Sequence, residues 1–305
     1  AALRRAVGPM DLVFPIPIAL TRLTSRWTGY TPRAFLTWGA ALGWLMILAI
    51  YLYGRSRFGH LEAGLAALLC GTSLWPAGLH RMGYPAVSLS PLIALWACAS
   101  LPALRAGGPA WGPISFGLSL AAAGLAGALY LVPLPAVLAV VALARPPEER
   151  PALRRVIAAI LTGVTVYLAG AVLYAWWIGA ELFSVPGAQI LTGSQAGAHR
   201  GALAPTWYPA GLIGRLAILM KELFWRSGGV FDSTDGNVTG ATLIHPAVAA
   251  ALLAGVWTAL RRRRPDDLLV TIWAGGFLLI AAAGFTPQPP RLVPAAPPLF
   301  ILASL

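Results

Sequence analysis

Polar side chains that could carry chemistry are concentrated in the segment 231–237, where Asp232 and Asp235 stand three residues apart and Asn237 follows. The serine, threonine and glycine between them favour turns. Carboxylate and amide oxygens bind hard divalent cations and also accept hydrogen bonds from sugar hydroxyls. The segment is therefore a candidate acceptor-binding or metal-binding loop. A solvated loop closed by Asx turns also explains the same residues.

A second group of candidate residues is cationic. His80 and Arg81 stand together in a short polar turn, and Arg291 precedes the last apolar run of the sequence. A guanidinium group donates two directed hydrogen bonds to phosphate oxygens, which suits a lipid-linked phosphate at a membrane surface. Ordinary contact with phospholipid headgroups is the alternative. We predict a lipid-phosphate-binding role for these three side chains.

Other kinds of chemistry lack their sequence signatures. The sequence has no glycine-rich phosphate loop ending in lysine, no His-Glu-x-x-His motif and no cysteine–histidine cluster with metal-binding spacing. Cys70 and Cys98 lie inside apolar blocks, so we expect buried thiols and no disulfide. The apolar blocks carry no charged residue at their centres, which argues against an ion-coupled transporter.

Composition indicates where these residues must be placed. Hydrophobic residues make up 58% of the sequence and charged residues 10%, whereas soluble domains carry about 25% charged residues. The net charge of +12 would suggest a nucleic-acid partner in a soluble protein, but the basic residues lie in breaks between apolar blocks. We therefore expect an all-α, polytopic transmembrane helix bundle that contacts membrane lipids and no nucleic acid.

The apolar blocks have roughly the 17–25 residues that a helix needs to cross hydrocarbon. We predict about nine spans, and they lie at 34–53, 61–79, 86–104, 113–129, 131–144, 156–178, 245–260, 268–284 and 292–305. The predicted organisation is the end of a first extracytoplasmic loop with a juxtamembrane helix (1–33), a transmembrane bundle (34–178), an extracytoplasmic loop with an interfacial helix (179–244) and C-terminal transmembrane helices (245–305).

The distribution of arginine decides whether the long apolar stretch 113–144 is one span or two. Proline at 133 and 135 favours a break in its middle. With two spans, the arginine-containing breaks 54–60, 105–112, 145–155 and 261–267 all fall on one side, which the positive-inside rule identifies as cytoplasmic. We therefore predict two spans.

The opposite, extracytoplasmic face then contains two stretches that predict helices at the membrane surface. The first, 12–23, is too short and too interrupted by proline to span. The second, 212–227, is amphipathic, with leucines on one face and charged residues on another. Five of the ten carboxylates fall on this side as candidate bases or metal ligands: Asp11, Glu181, Glu222, Asp232 and Asp235.

Three groups of motifs, in order along the chain, resemble one enzyme family. They are the span and basic turn from Pro32 to Arg57 with the helix start that follows at 58–67; His80-Arg81-Met82-Gly83-Tyr84 with Gly124–Tyr130; and Asp235-Gly236-Asn237 with Ile244-His245-Pro246, Gly255–Arg261 and Pro289-Pro290-Arg291-Leu292. Together they resemble the polyprenol-phosphate-sugar-dependent glycosyltransferases of the GT-C class, in particular the dolichyl-phosphate-mannose protein mannosyltransferase-like and aminoarabinose transferase-like group.

The resemblance implies transfer of a sugar from a polyprenyl-phosphate-linked donor to a protein, lipid or glycan acceptor, on the outer face of the plasma (inner) membrane. In such enzymes a carboxylate in the first extracytoplasmic loop activates the acceptor hydroxyl. We expect that base upstream of Ala1, in a chain truncated at both ends, with Asp11 as the candidate inside the sequence. A divalent metal is the one candidate cofactor. The alternative is a polyprenol-phosphate or lipid transporter, or a non-catalytic membrane subunit.

Overall fold

The computed structural model describes residues 15–29, 32–73, 85–131, 134–178, 214, 216–217, 220, 244–283 and 293–305. Over these residues the chain is helical and contains no strand, so the predicted all-α class is confirmed. The described helices are α1 (Pro15–Thr28), α2 (Pro32–Arg57), α3 (His60–Thr72), α4 (Pro85–Ser100), α5 (Trp111–Leu131), α6 (Leu134–Ala144), α7 (Leu153–Ile178), α8 (Pro246–Arg262), α9 (Pro265–Ala283) and α10 (Ala296–Ser304). Short 3₁₀ turns occupy Leu101–Leu104, Pro147–Glu149 and Val293–Ala295.

Proline fixes the start of many of these helices: α1, α2, α4, α8 and α9 each begin at one. A proline in the first turn costs no hydrogen bond, because the first backbone N–H groups of a helix have no partner within it. At α8, the His245 side chain caps this end, since its Nδ1 atom accepts a hydrogen bond from the backbone N–H of Ala247 at 3.3 Å. The prolines at these five positions therefore set helix boundaries, whereas Pro91 lies inside α4.

The long apolar stretch 113–144 forms two helices, α5 and α6, as its central prolines predict. α6 packs against α9, whereas α5 packs against α4 and α7. The two halves of the stretch thus have different neighbours, which a single straight helix would not allow. The split also returns the chain to the end of the bundle at which α5 begins.

Helices α5 and α7 approach each other closely because glycine lines their contact. A Cβ atom on Gly117 would lie 2.5 Å from the carbonyl oxygen of Ala159, and one on Gly163 would lie 3.0 Å from the carbonyl oxygen of Gly117. Two helical turns after Gly117, Gly124 faces the ring of Tyr167. Contacts that advance together along both chains show that α5 and α7 run parallel. Small residues at such a crossing are typical of membrane helices.

Helix α10 is the centre of the bundle. Residues 296–303 are all buried, and the helix packs against α8, α3 and α9, with further contacts to α2 and α4. At its contact with α8, Gly255 lies directly on the backbone carbonyl of Leu302, and among the described glycines a Cβ atom would meet its nearest neighbour most closely here. An apolar helix that is covered on all sides needs no polar face.

The outward surface of the bundle is apolar. On α7, the side chains of Leu161, Val164 and Leu168 are exposed at helical spacing, and exposed leucines also follow α2 and α3. Soluble proteins rarely expose continuous apolar surfaces of this extent. Exposed tryptophans, Trp27 and Trp176, lie near the end of α1 and the end of α7, where interfacial aromatic residues are expected.

Two described helices are long and apolar enough to cross a membrane, Leu36–Arg57 and Leu153–Tyr174. Together with the apolar surface they indicate a membrane location. The nine predicted spans are not confirmed: three further apolar stretches, Ser88–Leu104 across α4 and the 3₁₀ turn after it, Trp111–Ala126 within α5, and Leu134–Ala144, have only 10–17 residues. The number of crossings stays a prediction.

The structure describes the two predicted surface helices to different extents. The stretch 12–23 is helical from Pro15, and the helix continues to Thr28. In the stretch 212–227, only four residues are described; they are helical, and Leu216 and Met220 pack against the core. The two cysteines are free and buried, as expected.

The α8–α10 contact yields a stability prediction. Gly255→Ala should lower the Tm of the detergent-solubilised protein, because the new methyl group would overlap the Leu302 carbonyl and push the helices apart, at a cost of about 1–3 kcal/mol. Gly275→Ala in α9 is the control, since a Cβ atom there meets no atom within 4 Å. Equal Tm values for the two variants would contradict the close contact.

Candidate functional site

The residues that the sequence singled out for chemistry all lie outside the described part of the chain. They are the lipid-phosphate candidates His80, Arg81 and Arg291, the candidate base Asp11, and the acceptor or metal loop residues Asp232, Asp235 and Asn237. Their predicted roles therefore stay predictions. What the structure does describe is the framework from which these segments emerge.

That framework is one end of the bundle, here called the α1 end: helix α1, the starts of α2 and α4, and the turn Val293–Ala295. Helix α1 packs on α2, α4 and α5, and the turn Val293–Ala295 packs on α4. Arg81 precedes α4 by four residues, and Arg291 precedes the turn by two. The described segments that follow the two predicted phosphate-binding arginines are thus in contact with each other.

Helix α1 is held at this end by hydroxyl groups and a tryptophan. The Thr24 hydroxyl donates to the carbonyl of Leu20 at 2.9 Å. The indole Nε1 of Trp38 in α2 donates to the same carbonyl at 3.0 Å and also bonds to the Thr24 hydroxyl. Thr21, Thr24 and Ser25 are buried. Because buried polar groups need hydrogen-bond partners, these bonds fix the position of α1 on α2.

A cation–π contact joins α1 to the end of α7. The guanidinium carbon of Arg22 lies 5.6 Å from the centre of the Trp177 ring, and that ring is 6.0 Å from the ring of Tyr174. Such contacts are worth roughly 0.5–2 kcal/mol, depending on burial. The contact was not predicted from the sequence, in which the two residues are far apart and neither belongs to a recognisable motif.

The opposite end, here called the basic end, contains the four arginine-rich connections. Asp266 at the start of α9 accepts a hydrogen bond from Arg57 of α2 at 3.2 Å, and its Oδ1 atom lies 3.9 Å from Nη2 of Arg145. Arg145 also pairs with Glu149 at 3.1 Å. One carboxylate therefore holds the ends of α2 and α6 to the start of α9.

The fourth connection, 105–112, is joined to the connection 145–155 by hydrogen bonds to backbone carbonyls. Arg155 donates to the carbonyl of Ala103 at 3.1 Å and to the carbonyl of Pro109. The backbone N–H of Ala152 donates to the carbonyl of Leu104 at 2.9 Å. The connections 54–60, 105–112, 145–155 and 261–267 therefore meet at one end of the bundle, as the arginine distribution predicts.

Two charged side chains at the basic end are buried. Arg145 has only 5% of its side chain exposed, and its Nε atom has no hydrogen-bond partner among the described residues. The Oδ2 atom of Asp267 is likewise buried without such a partner. Burial raises the pKa of the Asp267 carboxyl above its usual value, although the positive charges of Arg262 and Arg264 act to lower it.

The chemistry open to the described residues is limited. Within the described ranges, no group of three or more histidines, cysteines and carboxylates lies close enough together to bind a metal ion. At the basic end, Asp266 and Glu149 are engaged in ion pairs and Asp267 is buried, so these groups hold helices together. The α1 end, into which the predicted phosphate-binding and loop segments lead, is the candidate functional site.

Comparison with solved structures identifies similar folds. ArnT from Cupriavidus metallidurans in the apo state is similar with a TM-score of 0.63 at 17% sequence identity, over 95% of this chain and 48% of that one. The structure of the same protein bound to undecaprenyl phosphate gives a TM-score of 0.62 at 18% identity, over 99% of this chain and 53% of that one. A third similar structure is the archaeal oligosaccharyltransferase AglB from Archaeoglobus fulgidus in complex with an inhibitory peptide and a dolichol-phosphate. Its TM-score is 0.58 at 14% identity, over 95% of this chain and 42% of that one.

These structures belong to GT-C glycosyltransferases, so the chain has a GT-C-like fold, in agreement with the resemblance of its motifs. The chain spans about half the length of the structures it matches. No protein-family model and no curated protein matches it in sequence.

The shared carboxylate of the basic end gives a testable stability effect. Asp266→Asn should lower the free energy of unfolding by about 1.5–3 kcal/mol, because it removes the charge that faces both Arg57 and the buried Arg145. Glu148→Gln is the matched control; Glu148 is exposed, and the change should stay within about 0.5 kcal/mol. Thermal or chemical unfolding measures both, and equal losses would exclude the special role of Asp266.

Burial of Asp267 predicts a pH dependence. Because its pKa is raised in the folded state, the folded protein binds the proton more tightly than the unfolded chain does. Stability is therefore lost as the pH rises from the pKa of aspartate in the unfolded chain, about 3.9, through the higher pKa of Asp267 in the folded protein. Asp267→Asn should raise the Tm at pH 7 and change it less at pH 4. A variant that is less stable than the wild type at pH 7 would show that the carboxylate is favourable there.

Proposed function

We propose that this chain is part of a membrane glycosyltransferase that moves a sugar from a polyprenyl-phosphate-linked donor to an acceptor on the extracytoplasmic face. The observation that carries the proposal is the similarity of nearly the whole chain to ArnT, one structure of which is bound to undecaprenyl phosphate. The similarity to an oligosaccharyltransferase in complex with a dolichol-phosphate points to the same class of lipid carrier.

The membrane setting follows from the two ends of the bundle. Trp38 at the α1 end and Arg57 at the basic end lie on the same helix, 19 residues apart, which corresponds to about 29 Å at 1.5 Å per residue. This is close to the thickness of a hydrocarbon core, about 30 Å. The positive-inside rule assigns the basic end to the cytoplasm. The α1 end of a multi-pass protein of the plasma (inner) membrane then faces outward.

The proposed donor site lies at the α1 end. Chain connectivity keeps the Cα atom of Arg81 within about 14 Å of Pro85, and that of Arg291 within about 7 Å of Val293. Because α4 packs on the turn Val293–Ala295, we expect both arginines to reach one donor phosphate. His80 is adjacent to Arg81 and would add a hydrogen-bond donor.

The proposed reaction is a direct displacement with inversion. A carboxylate removes the proton of the acceptor hydroxyl, and the oxygen attacks the anomeric carbon as the bond from that carbon to the phosphate oxygen breaks. The polyprenyl phosphate leaves with the electron pair, and guanidinium groups stabilise the charge that grows on it. Asp11 is the candidate base within this sequence, and Asp232, Asp235 and Asn237 are the candidate acceptor-binding or metal-binding residues.

The donor site predicts the effect of removing its cations. Arg81→Ala and Arg291→Ala, made in the intact protein, should each lower sugar transfer from a polyprenyl-phosphate-linked donor by about 10²–10³-fold, because the leaving phosphate loses a charge-stabilising donor. Arg154→Ala is the control: Arg154 is exposed in a connection of the basic end, and its loss should leave transfer unchanged. Radiolabelled sugar incorporation measures all three.

Two outcomes would count against the proposal. Unchanged transfer in both Arg81→Ala and Arg291→Ala would remove the phosphate-binding role from these residues. Donor binding by the intact wild-type protein without any transfer would instead favour a lipid-carrier transporter or a non-catalytic subunit.

A further inference from the structure

The surface of the basic end carries positive charge that the nearby carboxylates do not balance. Eight arginines there are exposed: Arg55, Arg105, Arg150, Arg154, Arg261, Arg262, Arg263 and Arg264. Of the five carboxylates at this end, Asp266 and Glu149 are paired with Arg57 and Arg145, and Asp267 is buried. The densest group of exposed arginines is the run 261–264 at the end of α8.

The face of α8 that leads to this run is apolar and exposed. Leu253 is 69% exposed and Trp257 is 70% exposed, and they stand one helical turn apart. Arg261 follows Trp257 by another turn on the same face and is exposed as well. The stripe is about 12 Å long at 1.5 Å per residue. An apolar strip that contains a tryptophan and ends in a guanidinium group has the chemical order of a phospholipid, from acyl chain to phosphate.

The backbone conformation of Arg263 is a second feature of the end of α8. This residue terminates α8 in the left-handed conformation, with φ 52°, and is the one non-glycine residue with positive φ in the described part of the chain. Its backbone N–H donates to the carbonyl of Ala259 at 2.9 Å. Glycine is the favoured residue at such a position, because a Cβ atom is strained there. An arginine therefore costs more than a glycine at this helix cap, while it adds an exposed guanidinium group to the run 261–264.

We propose that the end of α8 binds an anionic phospholipid of the leaflet at the basic end. Its phosphate contacts Arg261, with Arg263 and Arg264 adding charge, and an acyl chain lies along Trp257 and Leu253. Guanidinium groups bind phosphate oxygens through two directed hydrogen bonds, and clustered basic residues beside a membrane helix select anionic headgroups. This site is separate from the proposed donor site, which lies at the opposite end of the bundle.

Thermal unfolding of the purified protein in an uncharged detergent tests the proposal. Phosphatidylglycerol should raise the Tm of the wild type by about 2–4 °C, because a ligand that binds the folded state stabilises it. Phosphatidylcholine with the same acyl chains should not, and neither should inorganic phosphate alone. An equal effect of phosphatidylcholine would overturn the preference for an anionic headgroup, and an equal effect of inorganic phosphate would overturn the role of the acyl chain.

Variants separate charge from backbone conformation. Arg263→Gly should raise the Tm without lipid, because it relieves the strained conformation, and should reduce the phosphatidylglycerol-dependent shift. Arg261→Gln together with Arg263→Gly should reduce that shift to less than about half. Arg105→Gln, in another connection at the basic end, is the matched control and should keep the full shift. A full shift in the double variant would overturn the proposal, as would an equal loss in the control.

Discussion

The carboxylate of Asp266 is the interaction on which the arrangement of the bundle depends. It accepts Arg57 from the end of α2 and faces the buried Arg145 from the end of α6. A guanidinium group that is almost fully buried needs opposite charge beside it, so separating these helix ends would remove one of the two carboxylates, Asp266 and Glu149, that face Arg145. The pairing fixes the ends of α2 and α6 and the start of α9 at one level of the bundle.

The sequence predicts the parts of this fold that depend on composition and charge. The helical class and the division of 113–144 follow from apolar blocks and proline, and the meeting of the four arginine-containing connections at one end follows from the positions of arginine. Those signals are local or additive. The number of membrane crossings is not settled by the same signals, since several described apolar helices are shorter than a full span.

Other features could not be read from the sequence because they depend on which helices become neighbours. The cation–π contact of Arg22 with Trp177 and the sharing of Asp266 between two arginines join residues that are far apart in the chain. Burial of Asp267 beside exposed Arg263 and Arg264 has no local signal either. The candidate site shows the converse: its residue types are recognisable, but the described structure provides only the α1 end from which the corresponding segments emerge.

The central position of α10 has a consequence for biogenesis. Because translation proceeds from the N-terminus, α2, α3 and α4 leave the ribosome long before the helix that they enclose. The faces of these helices that contact α10 have no such partner until α10 has been made. A delay in translation after α9 therefore prolongs a state in which interior faces are exposed to aggregation.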